Sequence, residues 1–330
     1  MGLTGLDIFK QLPKTNCRDC GVPTCLAFAM KLAQKQASLD QCPHVSEEAK
    51  QALSGASAPP IKLVTIGAGD RKLEVGNETV LFRHEETFHH PTGIAVMVDA
   101  GLPEAELAAR IKAIGDVSFE RVGQTLQLNA VALTGEGEAF VKAATMAAEQ
   151  SAVPLILMNE DPSVMGEALK ACAGKKPLIY AATAENVEAM AALAKEHGCP
   201  LALRGSDVVS LAEVSEKAQA AGATDLILDS GARKPAEVLA SETAIRRAAL
   251  RKRFRPLGFP TIVFATAEDP LEETQQAATY IAKYAGIVVI KNMDPWELLT
   301  LVTVRQNVYT DPQKPIQIEE GLYQVGTPDE

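Results

Sequence analysis

Eight short apolar runs, each followed by an alanine-rich amphipathic segment, constrain this chain more than any other feature of its 330 residues. They read GIAVMVD, LQLNAVAL, PLILMN, PLIYAA, PLALR, DLILD, TIVFA and GIVVI, starting near residues 93, 126, 154, 177, 200, 225, 261 and 286. Intervals of 23 to 36 residues leave room for one helix in each gap, and unbroken apolar character suits strands buried on both faces. Eight β-then-α units predict an α/β fold, a (β/α)8 TIM barrel. The alternative is a doubly wound open sheet. That fold usually carries a glycine-rich phosphate turn after its first strand, and VMVDAGLPEAEL contains no G-x-G-x-x-G.

Ahead of the barrel, IKLVTIGAGDRKLEVGNETVLFR shows three β-like runs divided by the turn sequences GAGD and GNE, which predicts a small antiparallel element. The expected organisation is a separate module over residues 1–54, a linker over 55–60 within the small-residue stretch SGASAPP, the barrel with its N-terminal hairpin over 61–310, and a Pro-punctuated polar tail or linker over 311–330. The formal charge is −10, and the one basic cluster puts six Lys/Arg between Arg246 and Arg255 at the end of a predicted helix. Nucleic acid is not an expected partner. The N-terminus lacks a secretory pattern and no apolar run reaches 18 residues, so no membrane span is expected and the chain reads as cytoplasmic.

Six cysteines are too few for a disulfide scaffold in a chain of this length, and four of them fall within the first 42 residues. Their spacing, C-x2-C-x4-C-x16-C-P over Cys17, Cys20, Cys25 and Cys42, lets three ligands on one loop wrap a cuboidal cluster that a distant fourth closes. Gly21 allows backbone to approach inorganic sulfide, and Pro23 is placed to start a helix whose N-terminal amides face the anion. The closure is geometrically feasible: a helix from Cys25 to Gln36 travels about 16 Å, and six further residues can return about 20 Å. The spacing favours a 4Fe-4S cluster; structural zinc is the alternative, although it more often uses two separated Cys-x-x-Cys knuckles. Ser46 is expected to cap a second short helix in SEEAKQAL. Cys172 and Cys199, at predicted helix-to-strand turns, read as small buried side chains.

TGLDIFKQLPKTNCRDCGVPTCLAFAMKLAQKQASLDQCP closely resembles the N-terminal iron-sulfur module of the large (gamma) subunit family of the corrinoid iron-sulfur protein of the acetyl-CoA (Wood-Ljungdahl) pathway. The order of parts agrees over essentially the whole chain; the cysteine run is specific and the barrel generic. By resemblance, Cys17, Cys20, Cys25 and Cys42 are the 4Fe-4S ligands. The resemblance implies a subunit of a methyl carrier that takes a methyl group from methyltetrahydrofolate on Co(I) and delivers it to acetyl-CoA synthase, with the cluster returning Co(II) to Co(I). It implies three partners: the small subunit of a heterodimer, a methyltetrahydrofolate methyltransferase, and acetyl-CoA synthase/CO dehydrogenase. The family would continue past Glu330 into a corrinoid-binding domain, so corrinoid (cobalamin) is expected only with that missing C-terminal domain and the small subunit. The chain also has no D-x-H-x-x-G pattern, which fits a family resembling those that leave the lower cobalt position without a protein histidine.

At the predicted strand ends stand Asp99, Asn159, Glu160, Asp161, Arg204, Asp229 and Lys291, where barrel enzymes keep their chemistry. Such a set could hydrogen-bond a pterin, which would make the chain a folate-dependent methyltransferase barrel with an accessory cluster. Polar groups nevertheless end most barrel strands because the mouth is wet, and no nucleophile–base pair stands out, so no catalytic residue is expected here. ATAEDP and IKNMDPWE, after the last two strands, offer no phosphate loop. His84, His89 and His90 in RHEETFHHP read as a packed entry loop in preference to a metal site.

Overall fold

The computed structural model describes residues 5–33, 41–46, 49, 59–70, 72–85 and 88–310. The chain divides into two compact units, Met1–Pro59 and Pro60–Glu330. Of the predicted 55–60 linker only Pro59 and Pro60 are among the described residues, and the 311–330 tail lies outside them.

In the first unit, α1 (Gly5–Gln11) and α2 (Cys25–Ala33) pack together. Thr24 rather than Pro23 starts α2: its Oγ1 accepts the Ala27 N–H at 3.1 Å, satisfying one of the orphan amides of the first turn. Ser46 Oγ accepts the Ala49 N–H at 3.1 Å, the bond expected of a cap. A small core forms from Ile8, Leu12, Val22, Phe28, Ala29, Val45 and Ala49, and it includes Cys25 and Cys42.

The second unit opens with an antiparallel hairpin, β1 (Val64–Ile66) and β2 (Leu73–Val75), in the register Val64↔Val75. The third β-like run expected here, ETVLFR, does not extend it beyond a single Ile61↔Glu78 bridge. Its carbonyls find a different partner, since the Arg246 guanidinium donates to Val80 O and Leu81 O at 3.3 Å. Then come the barrel strands: β3 (Gly93–Asp99), β6 (Ala130–Thr134), β7 (Leu155–Met158), β8 (Leu178–Ala182), β9 (Leu201–Arg204), β10 (Leu226–Asp229), β11 (Ile262–Phe264) and β12 (Ile287–Ile290). They pair in parallel in the order β10-β9-β8-β7-β6-β3-β12-β11, and a Leu228↔Thr261 bridge, with Leu228 N donating to Pro260 O at 2.9 Å, closes the ring. All eight predicted strands are present. The second is shorter than LQLNAVAL suggests, because residues 124–127 belong to a separate hairpin, β4 (Ser118–Arg121) with β5 (Gln124–Gln127).

One helix follows each barrel strand: α3 (Glu104–Asp116), α4 (Gly137–Gln150), α5 (Pro162–Ala171), α6 (Val187–His197), α7 (Val208–Ala220), α8 (Pro235–Lys252), α9 (Pro270–Ala282) and α10 (Pro295–Tyr309). Four of them begin on proline, whose fixed φ and missing N–H suit the first helical position. Asp161, Asp207 and Asp269 cap α5, α7 and α9. The outer core lies between strands and helices. The inner core joins inward residues such as Ala95, Ile156, Ile227 and Val289 to Val64, Ile66, Leu73 and Val75 of the hairpin, which therefore plugs the barrel at the N-terminal ends of its strands. The open end is the opposite one, where the strands' C-termini converge.

Candidate metal centre

The loop from α1 to α2 carries Cys17 and Cys20 and ends on Cys25, the first residue of α2. Its backbone has positive φ at Lys14 (59°), Asn16 (50°), Arg18 (70°) and Gly21 (75°). Alternation of this kind turns successive N–H groups to one side and builds the concavity that receives phosphates and iron-sulfur clusters. Asn16 ties the loop together: its Oδ1 accepts the Cys25 N–H at 2.8 Å, and its own N–H donates to Cys25 Sγ at 3.4 Å.

Cys25 and Cys42 are buried in the small core, Cys20 packs against its edge, and Cys17 is exposed. The segment carrying Cys42 is held near the loop by His44, whose Nε2 lies 2.6 Å from Asp19 Oδ2. The structure gathers three of the predicted cysteines, Cys20, Cys25 and Cys42, in or at the edge of the small core, and sets exposed Cys17 beside Asp19 and His44; all four are free thiols. Four soft sulfur donors, one already accepting an amide N–H, fit an iron-sulfur cluster. Cys17, Asp19 and His44 also offer ligand atoms within 4.8 Å of one another, a mixed set that zinc could use. The His44 ring and then the Cys17 thiol hold the Asp19 carboxyl below its ordinary range. Sequence reasoning passed over Asp19 and His44, although CRDC and CPH place each beside a cysteine.

The barrel mouth is a cavity of about 830 Å³ floored by Met97, Met158, Tyr180 and Phe264. Of the predicted strand-end set, Asn159, Glu160, Asp161, Arg204 and Lys291 line it. Asp229 lies beneath, 2% exposed, and Asp99 turns aside to accept the Gly101 N–H at 2.8 Å. These groups are engaged with one another. Arg204 grips Glu160 through Nη1–Oε1 at 2.5 Å and Nη2–Oε2 at 2.9 Å; Asn159 donates to Gly135 O and accepts from Asp161 N; Lys291 Nζ is 3.0 Å from Glu268.

At the centre, Asp229 takes the Tyr180 hydroxyl at 2.7 Å and both ends of the Arg233 guanidinium at 3.0 and 2.8 Å, and Arg233 stacks over Phe264 at 4.5 Å. Burial, followed by the Asp229 charge, pushes the Tyr180 phenol up, so it remains a hydrogen-bond donor. Tyr180 and Arg233 were missed from sequence because one sits inside an apolar run and the other four residues past a strand end.

Elsewhere, His84 stacks on Phe82 with ring centroids 5.5 Å apart. Among the described residues, no group of three metal-ligating side chains includes His84, His89 or His90. Cys172 and Cys199 are buried, and desolvation pushes both thiols up to about 11, as expected of inert core cysteines.

Two family models match the chain: one described as CO dehydrogenase/acetyl-CoA synthase delta subunit over residues 63–330, and one described as putative Fe-S cluster over residues 12–44. The corrinoid/iron-sulfur protein large subunit of Moorella thermoacetica is 49% identical over 333 residues, covering 100% of this chain and 75% of that one. Subunit gamma of the acetyl-CoA decarbonylase/synthase complex is 38% identical in Methanopyrus kandleri, over 99% of this chain and 74% of the relative. The Methanothermobacter thermautotrophicus gamma subunit is 35% identical, over 100% and 75%. Among solved structures, dihydropteroate synthase from Anaplasma phagocytophilum with bound 6-hydroxymethylpterin-monophosphate superposes with a TM-score of 0.51 at 12% identity, covering 66% of this chain and all of that one. That likeness shows the barrel fold alone. Among the described residues no helix is long and apolar enough to cross a membrane.

Proposed function

The chain belongs to the family of corrinoid/iron-sulfur protein large subunits, and from that premise we propose that it is the cluster-bearing subunit of a corrinoid methyl carrier, with Cys17, Cys20, Cys25 and Cys42 holding one 4Fe-4S cluster. What supports this reading is a pair of thiols, Cys25 and Cys42, buried in one small core with Cys20 at its edge, beside a loop whose positive φ at Lys14, Asn16, Arg18 and Gly21 suits an anion-binding concavity. Bound there, the cluster supplies the single low-potential electron that returns corrinoid cobalt from Co(II) to Co(I), in a carrier that moves a methyl group from methyltetrahydrofolate to acetyl-CoA synthase.

The chain's own residues set the conditions for that electron. The Asn16 N–H, donating to Cys25 Sγ, withdraws charge from that thiolate. Phe28 and Ile8 shield Cys25 and Cys42 from water, while exposed Cys17 marks the side from which an electron enters or leaves. In this reading the corrinoid is held with a small subunit and a C-terminal corrinoid domain. Methyltetrahydrofolate methyltransferase supplies the methyl group, acetyl-CoA synthase/CO dehydrogenase receives it, and the setting is the cytoplasm. Residues 1–54 act as a separate electron-transfer module, 55–60 as its tether, and 311–330 as the connection onward.

Anaerobic purification with metal analysis tests the ligand set. About four iron atoms per chain are expected, lost in Cys42→Ala; stoichiometric zinc, or full iron in that variant, refutes it. The folate-dependent methyltransferase reading draws no support from the mouth, whose polar groups are engaged with one another. Micromolar methyltetrahydrofolate binding, abolished by Asn159→Ala, would restore it.

A further inference from the structure

Six Lys/Arg stand between Arg246 and Arg255 in a chain whose net charge is −10. The C-terminal dipole of α8 accounts for a cation or two in its last turn. It does not account for the rest of the arrangement. Arg246 is drawn inward, 5% exposed, paired with Glu78 and lying 5.0 Å over the Tyr284 ring. It forms the floor of a cleft of about 80 Å³ whose walls are Arg247 and Arg251 from α8, Lys283 from the end of α9, and Leu81 and Phe82 from the loop after the hairpin. The side chains of Arg247, Arg251, Lys252, Arg253 and Lys283 make no ion pair or hydrogen bond among the described residues. Phe82, which lines the cleft and stacks on His84, is 45% exposed, and Phe254, two residues past the end of α8, is 42% exposed.

Size and chemistry narrow the occupant. Pockets for whole small ligands run to roughly 300 Å³ and more, so this cleft admits one side chain and no cofactor. A free anion would leave the exposed phenylalanines unused. Nucleic acid could stack on them, but its long phosphate backbone would face a molecule that is acidic overall.

We propose that this cleft, at the end of the barrel opposite the mouth, docks an acidic segment of a protein partner. A Glu or Asp side chain enters between Arg247, Arg251 and Lys283, and an apolar neighbour covers Phe82. The inference goes beyond the functional reading above, which assigns no barrel surface to any partner. It leaves the barrel mouth free while the partner is bound.

The test uses the full chain and a short fluorescein-labelled peptide alternating Glu and Phe, followed by anisotropy. Binding should weaken roughly tenfold or more between low salt and about 0.3 M salt, and should be lost in Arg247→Glu/Arg251→Glu. The Arg247→Gln/Arg251→Gln variant removes charge without adding repulsion and should retain part of the affinity, which separates docking from misfolding. Four outcomes overturn the proposal: affinity unchanged in both double variants; equal affinity for a Gln-for-Glu peptide; tighter binding of a single-stranded oligonucleotide; or binding that appears only when residues 311–330 are removed, which would make the chain's own end the occupant. Iron content reports on the cysteine module alone, so failure here and failure of the functional reading are separately visible.

Discussion

Glu297 is a carboxyl group without a partner for its charge. It is fully buried, and among the described residues no donor lies within hydrogen-bond distance of either oxygen. The neighbouring Glu273 already takes the Lys291 and Asn292 amides at 2.8 and 3.0 Å. Burial, and then the adjacent Glu273 and Asp294 charges, push Glu297 up to about 7. The folded chain therefore holds this proton where an unfolded chain has released it. The contribution of Glu297 to stability is full below about pH 4.5, falls as pH rises toward 7, and is gone above that, on the order of 3 kcal/mol for a shift of this size. Glu242, desolvated and likewise raised to about 7, adds to the same window. Urea titrations between pH 5 and 8 should show about half of that slope removed in Glu297→Gln; an unchanged slope would mean that the native site already ionises freely.

Asp229 poses the opposite case, a buried charge that is fully engaged. Removing it in Asp229→Ala leaves Arg233 over Phe264 without its counter-ion and takes the acceptor from Tyr180, a loss of about 2–3 kcal/mol. Asp161→Ala removes only a helix cap and should lose about 1 kcal/mol. Thermal unfolding of the two variants side by side measures the difference. Equal losses would show that the central cluster contributes no more than a cap does.

At the scale of elements, the barrel was legible because parallel strands covered on both faces must be apolar, and all eight are, save for the C-terminal residues Asp99, Thr134, Arg204 and Asp229 of four of them. The β4–β5 hairpin was not legible, since SFER and QTLQ alternate exposed polar residues, and the buried Leu126 and Leu128 made the end of that hairpin look continuous with β6. ETVLFR carries strand-like residues, yet a side chain from α8, 165 positions away, takes the carbonyl that a ladder would need; no local pattern could reveal that. The cysteine ligand set is read from spacing and stays a proposal, whereas the Asp229–Arg233–Tyr180 cluster depends on barrel closure and no spacing could show it. The hairpin plug offers a test at this scale. Gly76 has φ +96°, and a Cβ there would lie 2.1 Å from Lys62 O, a backbone atom that cannot swing away. Gly76→Ala should lose about 2–4 kcal/mol and expose the N-terminal ends of the strands, read as faster amide exchange at Val64 and Val75 relative to Ile227.

For the whole molecule, the two units differ in what keeps them folded. The barrel unit has a double core, with more than fifty side chains buried between strands and helices and a second cluster inside the ring. Among its described residues the first unit has nine buried in its apolar cluster, two of them the cysteines Cys25 and Cys42. A unit of about sixty residues whose described core includes two of the proposed ligands is expected to lean on its metal for order. Removal of iron by an anaerobic chelator should therefore melt residues 1–59 while the barrel's transition stays where it was. Calorimetry would record this as loss of the smaller transition, and amide exchange would place the loss at Phe28 and Ala29. If Phe28 and Ala29 remained protected after chelation, the thiols would be guests in a unit that folds without them, and the module's order would have to come from its apolar contacts alone.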